Sequence, residues 1–272
     1  MMRDIDEFAR VRPPAVAGLF YPADRCELQR QLDACCGTAR PRALPGRVKA
    51  LIAPHAGYPY SGATAGHAFR QLEPLRASIE RVILLGPAHR VPLRGLAVPT
   101  VDAFSTPLGE LRIDSAARTR ILEAPEVIAD DRPHAEEHCL EVELPFLQSI
   151  LGRIRILPIV VGAIEPERLA AVLETVWGGP ETLILVSSDL SHYHDYDTAS
   201  VIDGRTAQAI LARSSALTHE QACGATAING LMVAARRHDL EVVELDRCNS
   251  GDTSGDRRRV VGYGAYALHR SH

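Results

Sequence analysis

Val82-Ile83-Leu84-Leu85-Gly86-Pro87-Ala88-His89 decides the reading of the fold. Four consecutive apolar residues with no polar alternation read as a strand buried on both faces, and a Gly-Pro pair then stops it. Other segments have the same form. Val48-Lys49-Ala50-Leu51-Ile52-Ala53 runs into Pro54-His55-Ala56-Gly57-Tyr58. Thr182-Leu183-Ile184-Leu185-Val186-Ser187 runs into Ser188-Asp189-Leu190-Ser191-His192-Tyr193-His194. A further apolar run, Ile154 to Val161, completes the set, and the strands 241–245 and 260–268 close the chain. Helical patterns are expected between them at about 63–72, 115–123 (with Asp114 as N-cap), 137–151, 166–176, 197–212, 218–222 and 227–239. Residues 96–113 read as short strands and turns around Pro99 and Pro107. Doubly buried strands alternating with helices imply an α/β fold of three layers, a central mostly parallel or mixed sheet flanked by helices. No internal repeat and no long linker is visible, and 40–46 reads as a loop into the first long strand, so residues 1–272 are expected to form a single domain.

Composition narrows the function classes. The 272 residues are 46% hydrophobic and 24% charged, the balance of an ordinary globular chain. A net charge of -4 argues against gripping nucleic acid by phosphate contacts. No apolar run approaches the length of a membrane span, and Met1-Met2-Arg3-Asp4-Ile5-Asp6-Glu7 does not resemble a secretory leader. The six cysteines, irregularly spaced and without a C-x-x-C pair, suggest reduced thiols, so a cytoplasmic location is expected.

The chemistry is expected at the strand ends. In open α/β sheets ligands bind beyond the carboxyl ends of the strands. Three of those ends carry His55, His89, and Asp189 with His192; a fourth, after residues 241–245, carries Asp246, Cys248 and Asp252. Imidazole with carboxylate or thiolate suits first-row transition metals. Two histidines and one carboxylate would leave open positions on Fe(II), whereas a thiolate would favour Cu(I) or Zn. A histidine off the metal would serve as acid or base. Plainer readings stand beside these: Asp189 as a helix N-cap, Arg257-Arg258-Arg259 as a solvated loop, and His67, His134, His219, His238, His269 and His272 as surface or helix residues. There is no G-x-S-x-G elbow, no G-x-G-x-x-G and no Walker loop. His134-Ala135-Glu136-Glu137-His138-Cys139-Leu140-Glu141-Val142-Glu143 is dense in ligand types but is not H-E-x-x-H. If helical, it sets His138 and Glu141 on one face, behind the metal, or simply forms an acidic solvated face.

Several motifs resemble the Memo family, whose bacterial members are also called AmmeMemoRadiSam system protein B. They are Arg12-Pro13-Pro14-Ala15-Val16-Ala17-Gly18-Leu19-Phe20-Tyr21-Pro22, Pro54-His55-Ala56-Gly57-Tyr58, Gly86-Pro87-Ala88-His89, Glu137-His138-Cys139-Leu140-Glu141, Ser188-Asp189-Leu190-Ser191-His192 and Val261-Gly262-Tyr263. The resemblance spans about Arg12 to Leu268. It implies a fold similar to class III extradiol dioxygenases and a pocket for iron or copper, with His55 and His89 as ligands and Asp189 and His192 as catalytic groups. Human-type members carry a cysteine as third ligand, and at that register this chain has Thr253. Asp252 is therefore expected as the third ligand, with Cys248 as the alternative, and His138, Glu141 and Tyr58 behind them.

The leading expectation is a metal-dependent oxidoreductase using Fe(II), or Cu or Zn, on a small phenolic or other O₂-reactive substrate, with Tyr58, Tyr60, Tyr193 and Phe104 as the few stacking groups. A second reading is a metal-binding or peptide-binding module without turnover, working with a radical-SAM protein and a third component, as the resemblance implies. A third is a metal-dependent hydrolase using Zn²⁺-activated water.

Overall fold

The computed structural model describes residues 10–39 and 42–270. The opening residues read for a leader, Arg40 and Pro41 of the expected loop, and His272 lie outside the described residues. Twelve strands are described: β1 Val11–Arg12, β2 Val48–Ala53, β3 Arg81–Pro87, β4 Leu96–Val98, β5 Ala103–Thr106, β6 Gly109–Ile113, β7 Val127–Ala129, β8 Arg155–Val161, β9 Thr182–Ser187, β10 His192–His194, β11 Leu240–Asn249 and β12 Val260–Arg270. The helices are α1 Arg25–Thr38, α2 Tyr58–Phe69, α3 Ser115–Ile121, α4 Arg132–Ala135, α5 Leu144–Leu151, α6 Pro166–Val176, α7 Tyr196–Leu211, α8 Ala225–Arg237 and α9 Ser250–Ser254. All twelve strands join one sheet, whose main path is β1-β5-β6-β8-β3-β9-β2-β12-β10. Its centre, β8-β3-β9-β2, is parallel, and β12 closes it antiparallel to β2. Among the described residues no helix is long and apolar enough to cross a membrane.

The unbroken apolar strands have a simple cause. Alternate residues of each central strand feed opposite cores. Leu51, Val82, Leu84, Ile156, Leu183 and Leu185 pack with Leu28, Leu32, Phe69 and Leu147 from α1, α2 and α5. Their neighbours Ile52, Ile83, Leu85, Leu157, Ile184 and Val186 pack with Leu169, Leu173, Ile210, Ile228 and Leu231 from α6, α7 and α8. The expected three layers are present.

Four local expectations are corrected. α1 was not anticipated; Asp24 caps it by accepting from the N–H groups of Cys26 and Glu27, and it buries only Leu28, Leu32 and Cys35. Residues 218–222 form a turn rather than a helix, because side chains of Gln221 and Asn229 take the N–H groups of Thr218 and Leu217 while Cys223 donates to Asp189 O. The last strands run longer than expected: β11 continues through Cys248 to Asn249, paired with Tyr263 and Gly262 of β12. Residues 137–143 are not helical, and the helix starts only at Leu144, with Pro145 in its first turn. Proline fits there because a first-turn N–H has no partner inside the helix.

The 137–143 segment is held by its own carboxylates. Glu141, fully buried, accepts from Arg12 Nη1 at 2.6 Å, Ala15 N at 2.8 Å, Val16 N at 2.9 Å and Tyr21 Oη at 2.7 Å. The Arg12 guanidinium also donates to His134 O and Glu137 O. Glu141 thus ties residues 12–21 onto the loop, instead of standing behind a metal as expected. Glu141→Ala would leave the Arg12 charge buried and unpaired, at a cost of about 3–5 kcal/mol. Urea denaturation should show that loss for Glu141→Ala, and a smaller one when Arg12→Met is added.

Candidate metal centre

The parallel register brings the candidate residues together. Ala53 of β2 lies opposite Ser187 of β9, and Leu85 of β3 opposite Val186. The chain therefore leaves the sheet at three neighbouring points, with His55, His89 and Asp189 just beyond them. The exits are cross-tied: Ser188 N donates to Ala53 O at 2.8 Å, and His55 N donates to Asp189 Oδ1 at 2.8 Å. Asp189 is accordingly a brace for the His55 loop and not a helix cap.

The 137–143 loop supplies the third imidazole. It crosses so close to the end of β3 that a Cβ on Gly86 would stand 2.6 Å from Cys139 Sγ and 2.7 Å from Leu140 Cδ2. His138 follows Glu137, whose buried carboxylate accepts from His89 N at 2.7 Å, His138 N at 3.0 Å and Cys139 N at 3.2 Å. The rings of His55, His89 and His138 then lie with centroids 5.3, 5.3 and 4.8 Å apart, and one ring nitrogen of each falls within 4.8 Å of the others. His55 is buried, His138 half-buried and His89 open to solvent.

Their Nδ1 atoms face the protein. His55 Nδ1 meets Ser187 Oγ at 2.8 Å and His89 Nδ1 meets Glu137 Oε1 at 2.9 Å. His138 Nδ1 lies 3.2 Å from the same Glu137 oxygen without hydrogen-bond alignment. With Nδ1 engaged on His55 and His89, Nε2 is the nitrogen left to coordinate, on His55 with Cys223 Sγ 3.4 Å away. Three neutral imidazoles with a solvent side can hold a first-row transition metal and keep a position open. Burial, then the charges of His138 and His89, pushes His55 well below the usual histidine range, so it is neutral and able to ligate at neutral pH. Burial alone would raise Glu137, but the adjoining His138 and His89 imidazoles and the His89 N–H hold its carboxyl far below the usual range. A second cluster, His89, Glu137 and Cys139, overlaps the first. Its Glu137 is already engaged, and its Cys139 thiol donates to Pro87 O at 3.3 Å.

The expected third ligands stand elsewhere. Asp252 sits on exposed α9, where Oδ2 accepts from Asn249 N at 3.0 Å and Oδ1 from Tyr196 Oη at 2.7 Å. Cys248 lies within β11, its Sγ 3.1 Å from Thr64 Oγ1. Among the described residues, neither belongs to a cluster of converging ligand atoms. His138, expected behind the ligands, is in the cluster. Tyr58 is buried and donates from Oη to Val142 O at 2.8 Å. His192 lies on β10 and lines a cavity of about 460 Å³ with His194, Arg205 and His219. A positive charge placed on it would lower the pKa of both His55 and Asp189. Of the histidines read as surface or helix residues, His134 is buried on the helix α4, and His269 is buried on the strand β12.

Two contributors escaped the sequence reading. Glu137 looked like one acid in an acidic run. Cys223 Sγ lies 3.4 Å from His55 Nε2 and accepts from Asp189 N at 3.2 Å, although it sits in a stretch between two expected helices. Neither has a strand-end position that would have marked it.

Residues 12–267 match the family model described as Memo-like protein. A MEMO1 family protein of Aquifex aeolicus is 38% identical over 266 residues, covering 93% of this chain and 97% of the relative. One from Sulfolobus acidocaldarius is 33% identical over 277 residues, covering 93% and 97%. Among solved structures, an uncharacterized protein of Escherichia coli K12 matches with a TM-score of 0.48 at 13% identity, over 81% of this chain and 99% of that one.

Loss of an imidazole's carboxylate partner typically weakens metal binding about 10–100-fold. Glu137→Gln should lower Zn²⁺ affinity by that factor in a chelator competition titration while the far-UV circular dichroism stays unchanged.

Proposed function

The chain belongs to the Memo family, and from that premise we propose that His55, His89 and His138 hold a first-row transition metal, Fe(II) or Cu first, in a metal-dependent oxidoreductase. The convergence of three imidazoles at the carboxyl ends of two parallel strands and on one buried loop carries this reading. The donor set fits such an ion: neutral nitrogen ligands leave its full charge available to a bound substrate. When bound, the metal would supply Lewis acidity and a site for O₂ beside a small, electron-rich substrate.

The chain's own residues would do the rest. Ser187 and Glu137 fix the orientation of the His55 and His89 rings. Asp189 holds the His55 backbone. Phe20 packs on the His138 ring at 4.8 Å and closes that side of the pocket. His192, off the cluster and half-exposed, would take or give the substrate proton. One observation favours a second reading: the cluster contains no carboxylate, and three histidines with an open position form a recognised catalytic zinc arrangement. A hydrolase would use the same residues.

Protein reconstituted anaerobically with Fe(II) is expected to consume O₂ with a member of a catechol panel, and His192→Ala to lose that activity while retaining iron. Metal analysis should show loss of iron in His55→Ala, His89→Ala and His138→Ala, and retention in Asp252→Ala and Cys248→Ser. If wild type and His192→Ala bind iron tightly and are equally inert, turnover on these substrates is refuted and a metal-carrying or partner-binding role is favoured. Iron lost from Asp252→Ala but kept by His138→Ala would restore the two-histidine, one-carboxylate set.

A further inference from the structure

Behind His55 lies a buried hydroxyl with more contacts than one proton can serve unaided. Ser187 Oγ is 2.8 Å from His55 Nδ1, 2.7 Å from Cys139 O and 2.7 Å from Glu143 Oε1. A serine hydroxyl has one hydrogen to give and two lone pairs to receive with. The Cys139 carbonyl can only accept, so the serine hydrogen must go to it. The other two partners must then both donate. Nδ1 of His55 therefore carries a hydrogen, and so does the facing oxygen of Glu143. Were Glu143 a carboxylate, it would have to accept the only serine hydrogen, and Ser187 Oγ and Cys139 O would face each other 2.7 Å apart with no proton between them.

We infer that Glu143 is a neutral carboxylic acid whose O–H donates to Ser187, and that this contact fixes His55 as the Nδ1–H tautomer with Nε2 presented to the cluster. The second oxygen of Glu143 agrees. Glu143 is fully buried and its Oε2 has no hydrogen-bond partner. An unpartnered carbonyl oxygen is far cheaper to bury than an unpartnered charge. Burial, with Asp189 nearby, also lifts this carboxyl well above the usual range. The arrangement lengthens the familiar carboxylate–imidazole–metal pairing by one hydroxyl and reverses the sense of its far end: the acid donates and the imidazole is aimed through serine. Glu143 is a positioning residue, because it touches neither the cluster nor any substrate.

The metal consequence rests on the function proposed above, but the protonation does not, so the two are tested separately. Infrared spectra of metal-free protein at neutral pH should show the carbonyl stretch of a protonated carboxylic acid that shifts in D₂O and disappears in Glu143→Gln. ¹⁵N spectra should show His55 as the Nδ1–H tautomer in wild type and in Glu143→Gln, whose amide N–H can replace the acid O–H. In Glu143→Leu, which has no donor, the tautomer should become mixed. Zn²⁺ affinity should stay near wild type in Glu143→Gln and fall about 10–100-fold in Glu143→Leu. Identical infrared spectra for wild type and Glu143→Gln would overturn the protonated acid. Equal affinities for Glu143→Leu and wild type, or equal losses in Glu143→Gln and Glu143→Leu, would overturn the positioning role. A wild-type protein that shows the acid band and the tautomer but takes up no Zn²⁺ would overturn the metal reading and leave the relay standing.

Discussion

Everything at the candidate centre depends on how one buried carboxylate is satisfied. Glu137 receives the main-chain N–H groups of His89, His138 and Cys139 as well as the His89 ring. A charge removed from water must be matched in this way or it destabilises the fold. Because the donors come from two segments far apart in sequence, satisfying the charge also joins the loop after β3 to the 137–143 loop. His138 reaches His89 as a consequence of that requirement.

The neighbouring acids divide the same task. Glu141 takes four donors from residues 12–21 and folds the start of the described chain over the loop, which brings Phe20 onto His138. Glu143 faces inward to Ser187. Three acidic residues within seven positions thus point at three different partners, which a regular helix would not allow. The loop is irregular because its side chains, and not its backbone ladder, consume the available donors.

The composition of the cluster bears on its chemistry. Two histidines with a carboxylate would place one negative charge on the metal; three imidazoles place none. Neutral ligation leaves the ion more electrophilic and suits iron, copper and zinc alike. Beside these imidazoles stand Glu137, next to His89 and His138, and Cys223, next to His55 Nε2.

The sequence by itself determined the layered α/β fold, since unbroken apolar strands such as 82–85 can be buried only between two helical layers. It also determined the sheet edge at which His55, His89 and Asp189 gather, because a parallel strand must end there. The bounds of α6 and β9 were legible to the residue, marked by Pro166 and by the apolar run before Ser187. The third imidazole was not legible. His138 lies on no strand end, and its position follows from hydrogen bonds between segments about 50 residues apart. Asp252 was expected as a ligand because it stands beside Thr253, at the register where human-type members of the family carry a cysteine, whereas in the fold it completes the capping box of α9 and accepts from Tyr196. Strands announce themselves through local periodicity. The partners of a buried charge are chosen only when the chain closes, and for that reason the tertiary structure alone decided that His138 stands beside His55 and His89.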